Sequence, residues 1–264
     1  MLDMVAVAVS SARLVVFNLN PKSYLLTKLI SIMYRDMITV FMYIYFLDRV
    51  STCLYYLFGP NKKMSDNTRW FFIHSFTNLL ICNLARRDVY DCIINPDSIS
   101  LRPSYNGHLA IWTAIMSHIY HVVVFSRKLT FQDWLHHSLM VGISGTVTVI
   151  SPFKLAVLGL WFMSGLPGFI DYFNLWCVKM GWMNSLTQKR IYTHITTYLR
   201  SPGCLYSCFL GMEYLKTPRM TMKYFTMMIN FALTFWNGQY YSRLACIDYG
   251  KKLTSSTKNQ VKNE

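Results

Sequence analysis

Charge is scarce in this chain. Asp, Glu, Lys and Arg together make 14% of its 264 residues, where a soluble domain carries about a quarter. Hydrophobic residues make 53% and aromatic residues 16%, a balance that excludes an ordinary soluble enzyme and points to a lipid environment. Acids are the scarcest, 12 against 26 Lys and Arg, for a net charge of +14. Paired cysteine motifs are missing as well: Cys53, Cys82, Cys92, Cys177, Cys204, Cys208 and Cys246 are odd in number and show no CxxC spacing. They read as small apolar side chains in a reducing or lipid setting, not as a disulfide framework or a zinc site.

The basic excess forms no continuous groove for nucleic acid. It recurs at the edges of apolar windows, at Lys62, Lys63 and Arg69, at Arg86 and Arg87, at Arg127 and Lys128, and at Lys189 and Arg190. That placement suits headgroup anchoring and attraction to anionic lipid. The partners expected are membrane lipids, with no nucleic acid.

What is abundant is apolar sequence cut into windows close to the roughly 20 residues that cross a hydrocarbon core as helix. They run Met37 to Gly59, Trp70 to Ala85, Gly107 to Phe125, Phe131 to Ile150, Phe153 to Val178, Ile191 to Tyr214 and Met222 to Tyr241. Turn chemistry separates them, as in Gly59-Pro60, Asn95-Pro96-Asp97 and Ser151-Pro152. The fold expected is all-α, a polytopic transmembrane helical bundle or barrel of six or seven spans. Residues 1–36 read as an amphipathic or flexible lead-in without the pattern of a cleaved signal, 37–245 as the membrane domain, and 246–264 as a polar, basic, disordered tail. Gly165-Leu166-Pro167-Gly168 in mid-span predicts a kink facing protein or trapped water. Lys and Arg divide almost evenly between alternate loops, so charge does not orient the chain.

Ionisable groups at bilayer depth are costly, so those inside the windows are candidate functional residues. Five of the seven histidines, His74, His118, His121, His136 and His137, fall in or at the ends of three neighbouring windows. His118 and His121 share a helical face, whereas the adjacent His136 and His137 diverge by roughly 100° on an ideal helix. Only one of that pair is therefore expected to point squarely at a site. Asp133 precedes them by three and four residues, close enough to accept a ring N–H and make the imidazole a better base or nucleophile. No metal site is expected from these residues.

Trp70-Phe71-Phe72-Ile73-His74, the pair in Asp133-Trp134-Leu135-His136-His137, and Asp171 in the following window together resemble the TLC domain family, the polytopic group that includes the ceramide synthases. The likeness spans about residues 37 to 241. It implies a lipid-sized cavity with His136 and His137 at its polar end, and residence in the endoplasmic reticulum or another internal membrane. It further implies acyl transfer from acyl-CoA as co-substrate, with Asp133 orienting the imidazole. His74, His118, His121 and Asp171 would bind substrate. The long acidic signature of the true synthases is absent.

Other readings stay open. Non-catalytic members of the same family handle membrane lipid without an established reaction, and a Met- and Phe-rich interior suits binding or transport of varied acyl chains. A membrane di-iron oxidase would need fuller HxxxH and HxxHH boxes than His118-x-x-His121 and His136-His137 provide. An ion transporter of inverted repeats would show recurring broken helices, which the sequence lacks.

Overall fold

The computed structural model describes residues 21–60, 63–216 and 221–261, with side chains for 31–60, 63–216 and 221–255. Among these the protein is all-α, with no strand. Seven rods follow one another: α1 (Pro21–Phe58), α2 (Asp66–Ile94), α3 (Tyr105–Phe125), α4 (131–150), α5 (Lys154–Met180), α6 (185–215) and α7 (Met222–Val261).

Their starts are chemically marked. Ser65, Ser104, Thr130 and Asn184 are N-caps whose side chains accept from the backbone N–H three residues on, which satisfies donors the first helical turn leaves free. α5 ends at Gly181, whose φ of 79° is the left-handed closure that glycine adopts without a steric penalty.

Around the bundle α2 packs on α3, α3 on α4, α4 on α7, α7 on α6, α6 on α5 and α5 back on α2. Six helices thus close a ring, and α1 lies outside it against α2 and α3. Two apolar clusters hold the ring. One gathers Ile44, Phe72, Ile73, Trp176 and Met180, the other Ile81, Ala85, Phe153, Val157, Leu158 and Met227. The outer faces carry large exposed apolar side chains, among them Tyr34, Ile38, Phe46, Tyr56, Val123, Leu205 and Phe209, as lipid contact requires.

Polar ties secure each end. Asp48 is fully buried and accepts from Arg69 Nε at 2.7 Å and from the Tyr120 hydroxyl at 2.7 Å. At the opposite end Asp88 accepts from the Ser104 backbone N–H at 3.0 Å, and Lys154 Nζ pairs with Asp91 at 2.6 Å.

Three rods contain wide π-helical stretches: Ser138–Gly145 in α4, Trp161–Gly165 in α5 and Thr196–Arg200 in α6. The last two directly precede the turns that hold Pro167 and Pro202. Proline offers no N–H and its ring crowds the carbonyl four residues back, so the helix widens there. The mid-span disturbance expected at Gly165-Leu166-Pro167-Gly168 takes this form.

Some expectations change. Three helical segments are long and apolar enough to cross a membrane, Ser31–Phe58, Tyr105–Lys128 and Lys154–Met180, fewer than the six or seven foreseen. The window of α2 is short and bounded by Arg69, Arg86 and Arg87, and that of α6 contains Arg200. The lead-in of residues 1–36 lies partly outside the described residues, and from Pro21 onward it is the first part of α1. The tail expected to be disordered is helical through Val261, as a continuation of α7.

Candidate functional site

Inside the ring, toward the end marked by Asp48, is a chamber of about 260 Å³. His74 and Asn78 enter it from α2, His118 and His121 from α3, Asp133, His136 and His137 from α4, Asp171 and Tyr172 from α5, Tyr192 and Arg200 from α6, and Tyr241 from α7. All seven residues singled out in the sequence therefore line one cavity. Periodicity supplies helix faces but not which faces meet, and the ring closure answers that for His118 and His121.

The imidazoles touch one another. His118 Nε2 is 3.2 Å from His136 Nε2, and ring centroids lie 5.2 Å apart for His118 and His137, 5.1 Å for His121 and His137, and 5.9 Å for His74 and His118. Aromatic rings wall the group: Trp70 stacks on His121 at 3.6 Å, and Tyr172 meets His74 edge-on at 4.1 Å. His118 Nδ1 lies 2.7 Å from the Ala114 carbonyl oxygen. A carbonyl only accepts, so this nitrogen carries the proton and Nε2 offers a lone pair to His136. The Nδ1 atoms of His74, His121 and His136 and both ring nitrogens of His137 are buried and find no hydrogen-bond partner among the described residues. Buried polar atoms are rarely left so, and a ligand that hydrogen-bonds there would satisfy them.

Asp133 does not make the contact expected of it. Its Oδ2 accepts from the Thr130 hydroxyl at 2.7 Å and from the Thr130 backbone N–H at 2.8 Å, while its own N–H donates back to Thr130 Oγ1. This is a capping box, so the carboxylate fixes where α4 begins and thereby where His136 and His137 stand. Asp171 Oδ1 accepts from Gln188 Nε2 at 2.9 Å.

The expectation that only one of the adjacent histidines reaches the site is also corrected. Both line the chamber, and their divergence appears on its far sides. His136 also lines a narrower slot of about 90 Å³ walled by Ile111, Ala114, Ile115, Met140, Val141 and Leu160. His137 also lines an open groove between α3 and α4, with Ile119, Val122, Val123 and Trp134. A further opening, bounded by Asp66, Asn67, Lys128 and Thr130, reaches Trp70, His121 and Asp133 from the end of the bundle. The chamber thus adjoins a polar opening, an apolar side groove and a largely apolar inner slot, each sharing lining residues with it.

Sequence reasoning missed Arg200, Tyr192, Tyr172 and Tyr241. Arg200 was findable, because an arginine inside an apolar window carries the same signal as the histidines. The tyrosines had none, being common throughout the chain. Among the described residues no group of three or more His, Cys, Asp or Glu is arranged to hold a metal ion. Comparison with protein-family models, with curated proteins and with solved structures finds no match to this chain.

Proposed function

We propose that this protein is a multi-pass membrane protein of TLC-like architecture that takes a lipid into the chamber and carries out histidine-dependent acyl transfer on it. The observation that carries the proposal is the meeting of five histidines from three helices in one cavity that adjoins a polar opening and an apolar surface groove. A soluble co-substrate such as acyl-CoA would come to the mouth and a lipid acceptor to the groove. All seven rods would span, with the charges of α2 and α6 turned into the ring or toward headgroups, in the endoplasmic reticulum or another internal membrane.

In the reaction, His136 donates from Nε2 to His118 and keeps Nδ1 as a base. It takes the proton of the acceptor hydroxyl or amine as that atom bonds to the thioester carbonyl carbon. The carbon–sulfur bond then breaks, and the thiolate leaves with the proton returned by the imidazolium. His137 would stabilise the carbonyl oxygen as charge develops on it.

One observation favours a second reading, non-catalytic lipid binding or transport by the same cavity. Among the described residues no carboxylate orients His136 or His137, since Asp133 is engaged at Thr130. Lipid profiles of membranes from cells expressing the intact chain, the H136A/H137A double variant or no chain, at matched protein levels, separate the two. A lipid class that changes with the intact chain and reverts with the variant supports acyl transfer. Equal shifts in both, or in neither, reject it in favour of binding.

A further inference from the structure

Arg200 stands where the chamber meets the inner slot and lines both. It closes the π-helical stretch of α6 just before Ser201-Pro202. Its Nη2 donates to Asn237 Oδ1 at 2.8 Å and its guanidinium carbon lies 4.8 Å from the centre of the Tyr241 ring. Nε is buried with no hydrogen-bond partner. Among the described residues no Asp or Glu lies within ion-pair distance of it, whereas Asp48, Asp88 and Asp91 all have cationic partners. Of the two acids that line the chamber, Asp133 is held by Thr130 and Asp171 by Gln188; Asp171 feels the charge of Arg200 but makes no ion pair with it.

A guanidinium has five donors in a planar fork matched to carboxylate and phosphate, and Asn237 uses one of them. A cation withdrawn from water without a counter-ion is costly. The apolar slot begins at the same point, with Ile111, Ile115, Met140, Val141 and Leu160 along it. We infer that Arg200 is an anion-binding subsite that grips the carboxylate or phosphate headgroup of a single-chain lipid, whose first few methylenes enter the slot. This deepens the proposed lipid handling and rests on it for the ligand's being a lipid. Tyr241 and Asn237 act as positioning residues that hold the fork in place.

The experiment is equilibrium binding to the full chain in nanodiscs of neutral lipid, with radiolabelled oleate, 1-oleoyl lysophosphatidic acid and 1-oleoylglycerol as probes of one chain length. Sodium acetate and inorganic phosphate serve as competitors. Charge-assisted hydrogen bonds predict that at least one anionic probe binds about tenfold or more tighter than the glycerol ester. Arg200→Gln should remove that preference and leave oleoylglycerol binding within about twofold, while Arg200→Lys keeps part of it. Oleate against lysophosphatidic acid distinguishes carboxylate from phosphate, and displacement by acetate or phosphate alone identifies a water-borne anion and overturns the lipid assignment. Equal affinity of the wild type for charged and neutral probes overturns the subsite, as does an anion preference that survives Arg200→Gln. If Arg200→Gln fails to fold, the wild-type comparison and Arg200→Lys still decide. No turnover is needed, so failure here with histidine-dependent lipid changes intact rejects the subsite alone, and the converse rejects acyl transfer alone.

Discussion

His118 faces Ala114 with one ring nitrogen and His136 with the other, 2.7 Å from the Ala114 carbonyl oxygen and 3.2 Å from His136 Nε2. The carbonyl dictates the tautomer of the first ring, and the first ring dictates that of the second. When both are neutral, His118 is protonated on Nδ1 and His136 on Nε2. Solid-state NMR of ¹⁵N-histidine-labelled protein, assigned through His118→Gln and His136→Gln, should show opposite tautomers at the two positions. Nδ1–H at both positions would remove the proposed base, because His136 Nδ1 would then hold the proton.

Asp48 is the most demanding buried group at the mouth end. It is 0% exposed, and it binds Arg69, Arg49 and Tyr120 at once. Removing one side of a buried ion pair strands the other, typically at about 3 kcal/mol or more. Asp48→Ala should therefore lower the thermal midpoint in detergent far more than Tyr120→Phe, which loses a single hydrogen bond to a charged group, about 1.5 kcal/mol or more. Equal small shifts would mean the pairs are loosely made.

Glycines divide sharply by what surrounds them. A Cβ on Gly203 would overlap the Phe162 ring, whereas a Cβ on Gly142 meets nothing within 4 Å. Gly203→Ala must push apart α5 and α6 beside the slot, and overpacking of this kind costs about 1–3 kcal/mol. Gly142→Ala, in a helical backbone, should be neutral or stabilise by up to about 1 kcal/mol. Thermal unfolding of both variants checks the contrast, and a destabilised Gly142→Ala would place α4 against a neighbour it does not touch here.

How much of this was legible beforehand depends on the kind of signal. Helical class followed from apolar windows near 20 residues, and the site histidines stood out because polar groups inside such windows are few. Capping at Thr130 was also written in the chain, since Thr-x-x-Asp opens α4. It went unread because Asp133 was assigned to the histidines that follow it, and two partners competed for one carboxylate. The tail after Cys246 misled by composition: polar, basic residues at the end of an apolar helix continue its backbone hydrogen bonding as readily as they leave it. Ring closure, and with it the slot behind His136, depends on contacts between helices far apart in sequence, such as Asn230 of α7 accepting from Ser144 of α4 at 2.8 Å. No local pattern reports such a pair.

The ring also makes a prediction about sidedness. Chain direction alternates from rod to rod, so the α1–α2 and α3–α4 connections lie at the mouth, where Asp66, Asn67, Lys128 and Thr130 meet. The α2–α3 and α4–α5 connections lie at the other end, where the Lys154 N–H donates to the Leu101 carbonyl at 2.9 Å. If the rods span, cysteines introduced by Asn67→Cys and Lys128→Cys, in a chain with exposed Cys53 and Cys246 changed to Ser, should react with an impermeant maleimide from one face of sealed vesicles. Asp97→Cys and Leu101→Cys should react only from the other. All four positions are exposed, so burial would not mask the result. Labelling of all four from the same face would mean that α2 and α3 do not cross. The chamber would then be a site on a membrane-attached protein, and the acyl acceptor would have to leave the bilayer to reach His136.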